Sequence, residues 1–100
     1  IQKHIKNSKE KLGITNKCGA LDINAACTGW VYGVQVANAL IQTGVHKNIL
    51  VVGTEMTSAF NNWEDRNSCI LFGDGSGAVV LSRSQNESEG RIIDSVLGCD

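Results

Sequence analysis

Cys27 is the residue in this 100-residue chain around which covalent chemistry can be built. It lies in the run Asp22-Ile23-Asn24-Ala25-Ala26-Cys27-Thr28-Gly29-Trp30, where an extended stretch gives way to a helical pattern. The first backbone N–H groups of a helix lack internal partners and together present about half a positive charge, which favours a thiolate over a thiol. The thiolate is the attacking form of cysteine. Ala25, Ala26 and Gly29 permit a tight turn and leave room for an acyl chain to reach the sulfur. The design is that of the α/β-hydrolase elbow with Cys in place of Ser. A cysteine among alanines also fills a small core space, and spacing alone leaves both readings open. No general base is near in sequence. His4, on a predicted first helix, and His46, in a turn before a strand, read as surface residues.

The elements that would hold this cysteine follow from periodicity. Between Thr28 and Thr43, Val31, Val34, Leu40 and Ile41 recur at helical spacing, while Gly29, Gly33 and Ala37 fall every fourth position on another face. A helix with no polar side is predicted to be central and buried, and its small stripe lets a neighbouring backbone approach. Gly44 is placed to end it as a left-handed cap. The run Ile49-Leu50-Val51-Val52 lacks alternation, which predicts a strand covered on both faces. With an extended run over Cys18 to Ile23, the pattern is strand, helix, strand. A right-handed crossover would make the two strands parallel in one sheet. After a polar loop from Thr54 to Arg66, Cys69 to Phe72 and Ala78 to Leu81 read as antiparallel strands around Gly73 to Gly77. Ser84 to Gly90 reads as a surface loop and Arg91 to Leu97 as a last strand, after which the chain is expected to stop in mid-fold. Ile1 to Leu12 reads as a surface helix, stopped at Gly13. The expected class is α/β.

Composition narrows the function classes. At 42% hydrophobic and 19% charged residues the chain is that of a folded domain, and a net charge of -1 offers no footprint for nucleic acid or a membrane surface. The apolar runs are too short to span a bilayer and no signal peptide pattern opens the chain, so a cytoplasmic location is expected. Cys18, Cys27, Cys69 and Cys99 form no C-x-x-C pair and have no His at ligand spacing, so no metal is expected. Gly73-Asp74-Gly75-Ser76-Gly77 precedes a β-type run without a following Lys-Ser/Thr, so it is not a phosphate-binding loop.

Four stretches together resemble a known family. Asp22 to Trp30, Leu50 to Glu55, Asn62 to Arg66, and Ile70 to Ala78 are similar, in order and spacing, to segments of the β-ketoacyl-acyl-carrier-protein synthase III family of thiolase-fold condensing enzymes. The likeness runs from about Gly13 to Leu97. It implies part of a thiolase-like layered fold, a mixed sheet with a buried central helix. Residues 1–100 would be part of the amino-terminal thiolase-like domain, the carboxy-terminal half being absent. It also implies that Cys27 accepts an acyl group from acyl-coenzyme A as a thioester. Malonyl on acyl carrier protein would then lose carbon dioxide and attack that thioester, giving a 3-oxoacyl product. By the same likeness Arg66 would pack against the adenine of coenzyme A, Phe72 would line the acyl channel near the sulfur, and Thr57 would stand where an apolar pocket residue is frequent. Read from the residues alone, Arg66 would form a surface ion pair with Asp65 or Glu64, and Phe72 would pack in the core. Trp30 stands where the family more often has Phe. The resemblance implies no cofactor beyond the coenzyme A thioester substrate, acyl carrier protein as a partner, and a homodimer. The family also uses a His and an Asn from its carboxy-terminal half, which His4 and His46 do not match. Two other readings stay open: a related thiolase-fold synthase of polyketide or hydroxymethylglutaryl-coenzyme A type, and a truncated, non-catalytic thiolase-like chain.

Overall fold

The computed structural model describes residues 10–15, 17–86 and 88–98. Its longest helix, α1, spans Gly29–Gln42. Val-rich sequences gain little from intrinsic helix propensity, so α1 depends on the face it buries. That face centres on Ala37 and Ile41, 2% and 6% exposed. The helix ends as expected. Gly44 takes φ +78, its N–H donates to the Ile41 carbonyl at 3.0 Å, and the His46 N–H reaches the Leu40 carbonyl at 3.2 Å. Carbonyls that would be left without partners are thereby satisfied.

Two strands follow, β1 over Asn48–Met56 and β2 over Asp74–Ser82. They pair antiparallel along their whole length, from Asn48 opposite Ser82 to Met56 opposite Asp74. Ile49, Val51 and Gly53 are half-buried, whereas Leu50 and Val52 are exposed. The strand therefore alternates, and among the described residues it is covered on one face, not on both. Leu50 pairs with Val80 and Val52 with Ala78 on the uncovered side. The result is an α/β layer with α1 against one face of the sheet.

Missing side chains bring the two layers together. A Cβ on Gly33 would lie 3.3 Å from Val51 Cγ1, and one on Gly53 would lie 3.1 Å from Trp30 Cε3. Both distances are at or below ordinary contact, so each glycine occupies a place that no other residue fits without a shift.

Three predicted strands do not form. Cys18 to Ile23 is without a ladder, because an open groove of about 420 Å³, lined by residues 21–26, one side of α1 and residues 49–55, keeps it from β1. The expected parallel pair is thus replaced by the antiparallel pairing of β1 with β2. Cys69 to Phe72 is not extended, since Arg66–Cys69 forms a short helix, α2, capped by Asp65. Gly75 and Gly77, read as part of a turn, lie inside β2 opposite Glu55 and Gly53. Residues 91–97 form no regular element. Ile92 is half-buried, but Ile93 and Val96 stay in solvent, 90% and 85% exposed, and no described strand takes up the backbone groups of the segment.

Most of the predicted first helix, residues 1–9, lies outside the described residues. Glu10 and Lys11 are helical, and Gly13 turns the chain at φ +66. No helix among the described residues is long and apolar enough to cross a membrane.

Gly53→Ala should lower the stability of the full-length protein by about 1–3 kcal/mol through overpacking against Trp30, measured by urea unfolding. Gly75→Ala, at a site with open space around the added carbon, should be neutral or stabilising in the same assay. Equal effects of the two changes would show that the close approach at Gly53 carries no weight.

Candidate active site

Cys27 sits in a single 3-10 turn, Ala26–Thr28, that runs directly into α1. The turn is tight enough to force Ala26 to φ +47, a conformation that costs a residue with a Cβ on the order of 1–3 kcal/mol. Thr28 holds the turn closed, its N–H donating to the Ala25 carbonyl at 3.2 Å and its hydroxyl to the same oxygen at 2.7 Å. The thiol is exposed. Thr28, the cap of α1, makes no side-chain bond to the helix amides, and the first turn has no acidic residue. The start of α1 therefore has neither a side-chain cap nor an acidic residue, and the N–H groups of Thr28 and Gly29 donate to the Ala25 and Ala26 carbonyls of the turn. Ala25, Ala26 and Gly29 also line the groove beside β1. Among the described residues no cluster of three or more His, Cys, Asp or Glu could hold a metal ion.

A second constellation forms at the end of the sheet. Beyond β1 the chain makes a 3-10 turn over Thr57–Ala59, and polar side chains tie it to the start of β2. The Thr57 hydroxyl donates to the Gly73 carbonyl at 2.7 Å. The Ser58 N–H donates to Asp74 Oδ1 at 2.8 Å and its hydroxyl to Asp74 Oδ2 at 2.5 Å. Asn61 Nδ2 reaches the Phe72 carbonyl at 3.5 Å. The Ser58 hydroxyl first, then its N–H, hold the Asp74 carboxyl below its ordinary value, against a smaller opposing effect of desolvation.

Thr57 and Phe72 are therefore brought together, with Thr57 half-buried and Phe72 52% exposed. The Thr57 hydroxyl is committed to Gly73. Arg66 opens α2 and is exposed. The Asp65 carboxylate, one expected ion-pair partner for Arg66, instead accepts from the Asn67 N–H at 3.0 Å and the Ser68 hydroxyl at 2.8 Å. These bonds, Ser68 foremost, hold its carboxyl below the usual value. Strand β1 connects the two constellations. Trp30, three residues after Cys27, lies on Gly53, and Thr57 follows four residues later, roughly 13 Å along an extended chain.

Sequence reasoning missed Ser58, Asp74 and the strain at Ala26. Ser58 and Asp74 are sixteen residues apart, and no local spacing marks such a pair. The Asp65-x-x-Ser68 cap did carry a readable signal, a capping residue with a hydroxyl three positions on.

Comparison with known proteins places these features in context. The model of the family described as 3-Oxoacyl-[acyl-carrier-protein (ACP)] synthase III matches residues 21–100. The chain is 50% identical over 92 residues to Beta-ketoacyl-[acyl-carrier-protein] synthase III of Neisseria gonorrhoeae strain NCCP11945, covering 92% of this chain and 28% of that protein. It is 48% identical over 93 residues to the protein of the same name from Natranaerobius thermophilus, with the same coverage of 92% and 28%. The crystal structure of 3-oxoacyl-[acyl-carrier-protein] synthase III from Aquifex aeolicus VF5 superposes with a TM-score of 0.76 at 43% identity, over 82% of this chain and 26% of that one. A Thermus thermophilus synthase III gives 0.74 at 35% identity, over 82% and 25%. The chain thus spans 28% of the length of these curated relatives.

Because the folded Asp74 carboxyl titrates below 3.8, its contribution to stability is complete above that pH and is lost as pH falls through the lower folded value. Ser58→Ala should raise the Asp74 midpoint toward 3.8, followed by NMR titration of the carboxyl carbon in the full-length protein. A midpoint unchanged by the substitution would mean that the Ser58 bonds do not persist in solution. At the turn, Ala26→Gly should be tolerated, since glycine adopts positive φ without strain, whereas Ala26→Val should cost more than 1 kcal/mol, in the range of about 1–3 kcal/mol. Thermal melting of both variants checks the order.

Proposed function

This chain belongs to the 3-oxoacyl-[acyl-carrier-protein] synthase III family, and on that premise we propose that its protein carries out the decarboxylative condensation that initiates fatty acid synthesis, with Cys27 as the acyl-accepting nucleophile. The observation that carries the reading is an exposed thiol on a strained turn at the uncapped start of α1.

The chemistry follows from the sulfur. The Cys27 thiolate attacks the carbonyl carbon of an acyl-coenzyme A thioester, the carbonyl oxygen takes up the negative charge, and the bond to the coenzyme sulfur breaks to release its thiolate. The enzyme keeps a thioester of the same energy, so the step is nearly balanced and reversible. That thioester remains electrophilic toward carbon. Malonyl on acyl carrier protein loses carbon dioxide, the electron pair left at its methylene attacks the acyl carbon, and Cys27 departs as thiolate with a 3-oxoacyl product formed. Amides at a helix start stabilise an oxyanion formed beside them.

The other parts of the reading rest on likeness. Arg66, exposed at the head of α2, stacks on the adenine of coenzyme A. Phe72 and the methyl of Thr57 face the acyl chain. The His and Asn that the family uses in decarboxylation match no residue of this chain and belong to the remainder of a protein of which these residues resemble 28%. No cofactor enters the scheme, since coenzyme A arrives as part of the substrate. Residues 1–100 form part of an amino-terminal thiolase-like domain in this reading, within a cytoplasmic homodimer. A related thiolase-fold synthase of polyketide or hydroxymethylglutaryl-coenzyme A type would form the same acyl-cysteine and differ in the carbon nucleophile.

Full-length protein incubated with acetyl-coenzyme A should gain one acetyl group by intact-mass spectrometry, and Cys27→Ser should gain none while retaining its melting temperature. Acetylation of the serine variant at the wild-type level would remove Cys27 from the mechanism. Arg66→Ala should raise KM for the acyl-coenzyme A about tenfold with a smaller change in kcat, the signature of lost binding to a part of the substrate remote from the reaction. An unchanged KM would take Arg66 out of the site.

A further inference from the structure

Among the described residues Ala26 alone, apart from glycines, has a positive φ, so the turn bearing Cys27 is held against the preference of its own sequence. Such a conformation persists only where the surroundings over-determine it. Within the turn the support is small. Thr28 bonds to the Ala25 carbonyl through its N–H and its hydroxyl, and the Gly29 N–H donates to the Ala26 carbonyl. No side-chain bond caps the amides of α1. The turn runs without a break into the helix, so the rest of the constraint comes from where α1 lies.

The side chain that fixes α1 closest to Cys27 is Trp30. It follows Cys27 by three residues, one turn of a 3-10 helix and just under one of an α-helix, so the two leave the same side of the helix start. Its six-membered ring is seated in the gap left by Gly53, with Cε3, Cζ3 and Cδ2 at 3.1, 3.8 and 4.0 Å from the place of a Cβ there. The other tight approach, of Val51 to Gly33 at 3.3 Å, comes three residues further along α1. Gly29 is nearer in sequence but meets only the Ile23 carbonyl, at an ordinary 3.9 Å. A ring so seated lets the first turn of α1 neither slide nor rotate without a collision or a void. We propose that Trp30 is a positioning residue for Cys27: seated at Gly53, it sets the placement of the turn and thereby the reactivity of the thiol. This rests on the reading of Cys27 as acyl acceptor. It adds that the sulfur is tuned by a ring and a gap one turn away, which take no part in the bond changes.

The test is a double-mutant cycle in the full-length protein. It is read as the ratio of iodoacetamide labelling rates at Cys27 and Cys18 across pH, with the melting temperature of each variant alongside. Cys18 is exposed, as Cys27 is, so the ratio reports the surroundings of Cys27 and not access of the reagent. Gly53→Ala adds an atom where the ring already crowds the strand. It should lower the ratio at neutral pH about tenfold, less than the roughly hundredfold that a 1 Å misplacement costs, and displace the midpoint of the Cys27 pH profile. Combining it with Trp30→Phe, which takes away part of the ring, should return the ratio to within about threefold of the wild type. Trp30→Ala removes the ring without crowding the strand and should also lower the ratio about tenfold, which decides the matter where Gly53→Ala does not fold. A wild-type ratio and pH profile in folded Gly53→Ala or Trp30→Ala protein would overturn the proposal, because a contact that only holds the layers together moves the melting temperature alone. A loss in Gly53→Ala that Trp30→Phe fails to restore would overturn it too, since the effect would then run through the strand and not the ring. If wild-type Cys27 takes no acetyl group from acetyl-coenzyme A, the acyl-acceptor reading falls, while the same labelling ratios still decide the role of Trp30.

Discussion

The near contact of α1 with β1 at Gly33 and Gly53 governs where everything else in this chain can be. A helix can lie that close to a strand only where a side chain is missing from one surface or the other. Here the strand lacks one opposite Trp30 and the helix lacks one opposite Val51. The start of α1 is thereby held over the middle of β1, and with it the strained turn that bears Cys27. Packing at a glycine tolerates little displacement, because the neighbouring ring or methyl group lies closer to the place of a Cβ than ordinary contact allows, at 3.1 and 3.3 Å. The location of Cys27 is consequently a property of the layer contact more than of the turn alone.

The same strand carries that order onward. Its pairing with β2 is continuous to Met56 and Asp74, and the Ser58 and Thr57 bonds extend it past the last ladder pair into the segment bearing Phe72. Each of these exposed bonds alone contributes little to stability. Their value lies in geometry: two points of attachment on one carboxylate leave the turn a single orientation. Asp65 does the same for α2 on a smaller scale, committing its carboxylate to the amide and hydroxyl that follow instead of to the neighbouring Arg66.

Much of this was legible beforehand, and the exceptions share a cause. The small-residue stripe of α1, its stop at Gly44 and the position of β1 followed from spacing, because each depends on residues within one turn or one strand. The expected cover on both faces of β1 and all round α1 is absent among the described residues, where Val31, Val36, Leu50 and Val52 are exposed. The expected strands at Cys18 to Ile23 and Arg91 to Leu97 did not form, since a strand needs a partner and partners are not written locally. Gly75 and Gly77 suggested a turn, and the pull of a full-length ladder with β1 overrode that local preference. The Ser58 and Asp74 pair was invisible for a related reason: sixteen residues separate two groups that meet only after the sheet has formed. Ala26 carries no mark of its positive φ, because alanine is chosen there against its own preference.

The central claim is that the fold singles out one thiol for attack. Cys27 and Cys18 are both exposed, so a difference in their rates of alkylation reports activation and not access alone. Competitive labelling of the full-length protein with iodoacetamide at neutral pH, read by peptide mass spectrometry with and without acetyl-coenzyme A, measures this directly. Cys27 should label well ahead of Cys18 and Cys69 and be protected by the thioester. Equal rates at Cys27 and Cys18, unaffected by acetyl-coenzyme A, would contradict the account.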